Sequence, residues 1–129
     1  MPTPSKKIIF GFTGLMASGK GAAALYLGAR HAARTFRFST ILRDLLKRLD
    51  IPETRENLVG MSEAIRHQFG EDILAKAMAH DAATASEACI VIEGIRREAD
   101  ITYLQKLPNF VLVSIDADLR TRYDRLVKR

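Results

Sequence analysis

The chain holds little of the chemistry that would staple, anchor or export it. Cys89 is the only cysteine among 129 residues, so no disulfide framework can form within the chain. It begins the apolar run Cys89 to Ile92, the setting of a small core residue, and a reducing, cytoplasmic compartment is the expectation. No apolar stretch approaches the roughly 18 residues that a bilayer-spanning helix requires, and residues 1–7 lack the apolar segment of a secretion signal. A membrane partner is therefore not expected. Tryptophan is absent and aromatic residues make up only 7% of the chain; they are not interleaved with basic residues as a groove for single-stranded nucleic acid requires. The three histidines, His31, His67 and His80, have no metal-ligand spacing and no cysteine beside them. No paired nucleophile and base suggests covalent catalysis.

The charge is lopsided but modestly so. Twenty lysines and arginines against 15 acids give +5, and the arginines are spread along the chain rather than massed in one stripe. That excess suits a polyanionic small molecule as well as it suits nucleic acid, and the missing aromatic pattern disfavours nucleic acid.

At 47% hydrophobic and 27% charged residues, the chain has the content of one soluble domain over residues 1–129. Four apolar runs, Ile8 to Phe12, Phe36 to Ser39, Cys89 to Ile92 and Phe110 to Ile115, are too short for buried helices and predict strands of a mostly parallel sheet covered on both faces. Between them, apolar residues recur at helical spacing: Leu42, Leu45, Leu46 and Leu49; Leu58, Met61, Ile65 and Phe69; Ile73, Leu74, Ala77 and Met78. Alternating strands and helices predict a three-layer, doubly wound α/β fold. Pro52 and Pro108 mark turns rather than linkers. The helical insertion of residues 40–86, between the second and third strands, has the length of a crossover that also covers a second substrate. A basic helix is expected from Leu119 onward, with no fifth strand after it, although such sheets commonly have one.

The most specific signal lies between the first strand and the first helix. Gly14-Leu15-Met16-Ala17-Ser18-Gly19-Lys20 follows the apolar run and leads into Gly21-Ala22-Ala23-Ala24. Glycines at both ends let the backbone wrap an anion, its N–H groups point inward, and the helix offers the positive end of its dipole. Gly14, Ala17, Ser18, Gly19, Gly21 and Ala22 are thus candidate phosphate-cradle residues, and Lys20 is the candidate ligand of the β- and γ-phosphates. Position 21 is Gly, where Ser or Thr normally gives its hydroxyl to Mg²⁺, so the metal must be held another way.

In such sheets ligands bind outside the carboxyl ends of the strands. After the third strand stand Glu93, Gly94, Ile95, Arg96 and Arg97; Glu93 can orient Mg²⁺ waters or accept a proton, and Arg96 can grip a phosphate through two parallel hydrogen bonds. After the second strand, Ser39 or Thr40 is the expected helix cap, with Arg43 on the polar side of the leucine stripe. Arg66 is likewise expected off the apolar face of a helix over Glu56 to Phe69. Singly, each of these arginines reads equally well as a solvated surface residue; their joint placement favours an acceptor site.

With these residues in place, the chain resembles the nucleoside monophosphate kinase group of P-loop proteins, which includes adenylate kinase and related deoxynucleotide kinases. The loop Gly14 to Gly21 is similar to that of adenylate kinase, where a glycine also follows the lysine. The resemblance implies ATP and Mg²⁺ as cofactors and a small-molecule nucleotide as substrate. It gives Arg43, at the end of Phe38-Ser39-Thr40-Ile41-Leu42-Arg43, the role of acceptor-phosphate ligand. It gives Arg96, in Glu93-Gly94-Ile95-Arg96, a second such role. Arg125 and Arg129 would stand at the entry of the ATP lid, whose remainder is not expected in this sequence. Pro52 to Leu58, with Arg66 and Phe69 to Asp72, also resembles a branch labelled dephospho-CoA kinase-like or deoxynucleotide kinase-like. Thr40 stands where dephospho-CoA kinases use an acid to prepare a hydroxyl, which favours an acceptor monophosphate whose oxygens are already ionised.

Overall fold

The computed structural model describes residues 7–14 and 19–127. Strands β1 (Ile8–Thr13), β2 (Arg34–Arg37), β3 (Cys89–Glu93) and β4 (Phe110–Ser114) form one parallel sheet in the order β2-β3-β1-β4. Helices α1 (Lys20–His31), α2 (Phe38–Arg48), α3 (Arg55–Phe69), α4 (Ile73–Thr84), α5 (Glu98–Leu104) and α6 (Leu119–Val127) provide the connections and the final element. This is the α/β architecture that the sequence pattern predicts.

Burial follows the pleat of β3, the inner strand between β2 and β1. Ile90 and Ile92 point to one face with Ile9, Phe38, Leu42, Leu74, Met78 and Leu104, while Val91 points to the other with Phe12 and Ala24. All three β3 residues are fully buried, as expected for a parallel strand covered on both sides. The larger core lies under α2, α4 and α5, and the smaller under α1. Lys7 ties the entry of β1 to the end of α4: its Nζ donates to the carbonyls of Ala82, Ala83 and Ala85 at 2.7, 3.1 and 2.6 Å. A cation there meets the negative end of the helix dipole and unsatisfied last-turn carbonyls.

Several local expectations shift. The second strand begins and ends two residues earlier than the apolar run Phe36 to Ser39 suggests, and Phe38 and Ser39 belong to α2. Neither Ser39 nor Thr40 is the cap; Arg37 occupies that position, without a side-chain cap bond. The reason is the core: Phe38, Leu42 and Leu46 form the buried line of α2, which requires helical spacing from Phe38 onward, while Leu49 stays 59% exposed. In α3, Thr54 caps the helix by accepting from the Asn57 N–H at 3.1 Å. Cys89 is only half-buried, because it opens β3 opposite the exposed Ile8; burial still pushes its thiol pKa up. The turns at Asp50 and Asn109 have positive φ, which these residue types tolerate.

Candidate functional site

All four parallel strands end at one edge of the sheet, and three of these ends build the site. There β1 runs into Gly14, β2 ends at Arg37 and β3 at Glu93, and Arg37 and Glu93 are direct partners in the ladder. A cleft of about 490 Å³ opens above this edge, with Lys20 and Gly21 on one side, Glu93 in its wall, and Ser39, Arg66 and Arg96 from the expected set around it.

Lys20 is the first residue of α1, and its Nζ donates to the Gly14 carbonyl at 2.6 Å. The lysine thus reaches back to the last described residue before the N-cap of α1. Gly19, the N-cap of α1, has φ 109°, a conformation that side chains disfavour. A Cβ there would stand 3.7 Å from Nη1 of Arg125, so the α6 arginine lies over the end of the loop. Ala22 is exposed in the first turn of α1. Ala17, Ser18 and Arg129 lie outside the described residues.

Glu93 is 8% exposed. Its Oε2 accepts from Arg37 Nε at 2.7 Å, while Oε1 is buried without a hydrogen-bond partner. Gly94 follows with φ 89°, which lets the chain turn at once and bury Ile95 while Arg96 and Arg97 face the cleft. Gly11 makes room for this turn: a Cβ on it would meet Phe110 Cζ at 2.4 Å and Ile95 Cδ1 at 2.8 Å.

Arg66 departs most from its expected surface position. It is buried, and Nη1 and Nη2 donate to the two oxygens of Asp100 at 3.2 and 3.1 Å. Nη1 also donates to the Glu71 carbonyl and Nε to Ser62 Oγ. Asp100 is 1% exposed and supplies the charge that makes a buried guanidinium tolerable. Arg97 is joined to the same turn through Glu71 Oε2 at 3.0 Å.

Arg43 and Thr40 do not line the cleft. Arg43 points to Glu53, 3.8 Å away; Thr40 is exposed and lines a second hollow of about 350 Å³ with Asp44 and Asp81. Both follow from the earlier start of α2, which turns its polar face away from the strand ends. Sequence reasoning missed Arg37 and Asp100. Ending β2 at Arg37 would have found the first; nothing local marks Asp100, which reads as an ordinary first-turn acid.

Among the described residues no three His, Cys, Asp or Glu side chains converge on a metal position. The residues present do suit Mg²⁺ held mainly through water and phosphate, the habit of that ion, since Glu93 Oε1 is buried at the cleft without a partner.

The fold is similar to that of a solved, unliganded sugar kinase from Janibacter sp. HTCC2649, with a TM-score of 0.54 at 15% identity, covering 97% of this chain and 68% of that one. In sequence, the chain is similar to archaeal UPF0200 proteins. It is 30% identical to one from Methanoregula boonei over 123 residues, 94% of this chain and 66% of that protein. It is 25% identical to one from Methanocaldococcus jannaschii, covering 95% and 62%, and 28% identical to one from Hyperthermus butylicus, covering 69% and 48%. The chain spans about half to two thirds of the length of these relatives. No family model matches it. No helix among the described residues is long and apolar enough to cross a membrane.

Proposed function

We propose that the protein transfers a phosphoryl group from ATP to a nucleoside or deoxynucleoside monophosphate. One observation carries this reading: Lys20, bonded to the Gly14 carbonyl, and Glu93 line one cleft together with Arg37, Arg96 and Arg97. The two acids in the cleft wall are each paired to an arginine, Glu93 to Arg37 and Asp100 to Arg66. Lys20 and Arg96 therefore provide positive charge beyond those pairs, which suits two phosphate-bearing ligands held side by side.

Catalysis of this kind is mostly positioning and charge neutralisation. Lys20 would release the Gly14 carbonyl and hold the β- and γ-phosphates, with the amides at the start of α1 completing the cradle. Arg96 would hold the acceptor phosphate, and Arg125 would cover the donor. Arg66, pinned by Asp100, would set the acceptor wall. Mg²⁺, when bound, would neutralise charge on the transferred group, with Glu93 orienting its water shell.

The test is ADP formation from ATP and Mg²⁺ against a panel of nucleoside and deoxynucleoside monophosphates and dephospho-CoA. Turnover with a monophosphate, abolished in Lys20→Ala, is the expected result. Arg96→Ala should raise the acceptor KM by roughly tenfold to a hundredfold, as the loss of charge-assisted hydrogen bonds requires. Equal activity in Lys20→Ala and the unsubstituted chain would overturn the mechanism, and ATP binding without ADP formation would leave a nucleotide-binding module. A hydroxyl acceptor such as dephospho-CoA is the second reading. It is favoured by the unpartnered Glu93 Oε1, a carboxylate placed to take a proton; turnover with dephospho-CoA alone would select it.

A further inference from the structure

Arg43, the arginine that family resemblance assigns to the acceptor phosphate, faces Glu53 outside the cleft. Arg37 lies inside it. We propose that Arg37 is the principal acceptor-phosphate ligand of this protein and that Glu93 is the residue that positions it. This rests on the monophosphate reading above and names the residues that would make it work.

The ladder creates the arrangement. Arg37 and Glu93 are cross-strand partners at the ends of β2 and β3, so their side chains emerge side by side at the edge where the cleft opens. Glu93 takes only Nε of the guanidinium, at 2.7 Å. The Nη1 and Nη2 groups have no partner among the described residues, and the arginine side chain is 58% exposed while the Glu93 side chain is 11% exposed. A buried carboxylate thus holds an arginine by its inner nitrogen and leaves the outer pair of N–H groups available on a side chain that borders both the cleft and the second hollow. That fork matches two oxygens of a phosphate, and holding Nε removes rotamer freedom that the side chain would otherwise lose on binding.

The neighbouring backbone offers the same kind of ligand a second set of donors. Arg37 is also the N-cap of α2, which has no side-chain cap and no acid in its first turn, and Phe38 and Ser39 line the cleft beside it. The first-turn amides of an eleven-residue helix and the Arg37 fork would therefore meet on one dianion. By contrast Arg66, the buried cleft arginine, has both Nη groups committed to Asp100, and Arg97 gives Nη1 to Glu71.

Equilibrium binding of AMP, dAMP, GMP, CMP, UMP and dTMP, measured by calorimetry without ATP or Mg²⁺, separates this role from turnover and from any part of Glu93 toward the metal. Arg37→Ala should weaken binding of the best monophosphate roughly tenfold to a hundredfold, and Arg37→Lys should recover only part of it, because an ammonium lacks the fork. Glu93→Gln keeps an acceptor for Nε and should bind within threefold of the unsubstituted chain, whereas Glu93→Ala should lose most of what Arg37→Ala loses. Matched circular dichroism and melting curves show that each variant is folded. Undiminished binding in folded Arg37→Ala, or a loss carried by Arg43→Ala instead, overturns the assignment of Arg37. Failure of the unsubstituted chain to bind any of the six nucleotides overturns the monophosphate reading itself, and this proposal with it.

Discussion

Two arginine–carboxylate pairs line the same cleft and differ in almost every physical respect. Arg66 and Asp100 are 6% and 1% exposed, and the guanidinium gives both Nη groups to the two carboxylate oxygens. Arg37 and Glu93 share one short bond through Nε, with the arginine mostly in the open and one carboxylate oxygen unpartnered. The closed pair joins α3 to α5 and has little hydrogen-bonding capacity left for a ligand. The open pair is left unfinished toward the cleft. The same two residue types thus serve as a fastener on one wall and as a receptor on the other, and burial with full hydrogen-bond satisfaction decides which.

The comparison breaks most sharply at Asp100. Asp100→Ala would leave a buried guanidinium uncompensated and should cost about 3–5 kcal/mol of unfolding free energy, read by urea titration. Arg37→Ala should cost less, about 1–3 kcal/mol, because it strips the buried Glu93 carboxylate of its partner but removes an arginine that is itself 58% exposed. Equal losses would show that the two pairs do not differ in kind.

Between the pairs runs the Glu93 to Arg97 turn, seated on Ile95. Gly11→Ala would drive a methyl group into Phe110 and Ile95 and should cost about 1–3 kcal/mol as an overpacked site. If the turn carries Arg96 to the acceptor, the variant should also raise the acceptor KM. A stability loss with an unchanged KM would detach the turn from the site.

The smallest effect is expected in α6, which buries none of its residues and so lies at the opposite extreme from the Arg66–Asp100 fastener. The Thr121 N–H donates to Asp118 Oδ1 at 2.7 Å. That bond, the Thr121 side chain, and then Arg125 and Arg122 hold the Asp118 carboxyl below its ordinary pKa. Because the folded pKa is depressed, the cap's contribution is present above the unfolded value and fades as pH falls through the folded one. Helicity of α6, followed by amide exchange, should therefore weaken below about pH 4, and Asp118→Ala should remove that pH dependence. Persistence of the same pH dependence in Asp118→Ala would assign it to another group.

Much of the architecture is legible in local pattern. The four apolar runs mark the four strands because each is too short for a buried helix, although only β1 and β3 hold buried residues while the edge strands β2 and β4 hold none, and Pro52 and Pro108 fall in turns because proline resists helix continuation. The β2 boundary was less legible, since Phe36-Arg37-Phe38-Ser39 carries apolar residues at a period of two and Phe38 also opens the helical line Phe38, Leu42, Leu46. Only packing against β3 and α4 decides between them, and a two-residue shift changes which side chain sits at the carboxyl edge.

By itself the sequence determined the order of strand, glycine-bounded turn, Lys20 and helix, because that order lies within one short stretch of chain and follows from backbone chemistry. Tertiary structure alone decided which arginines work together. Arg37 meets Glu93 across 56 positions through strand register, and Arg66 meets Asp100 across 34 through helix packing. No local pattern encodes either pairing, because the partner and the burial that give each arginine its character come from elements that are distant until the chain folds.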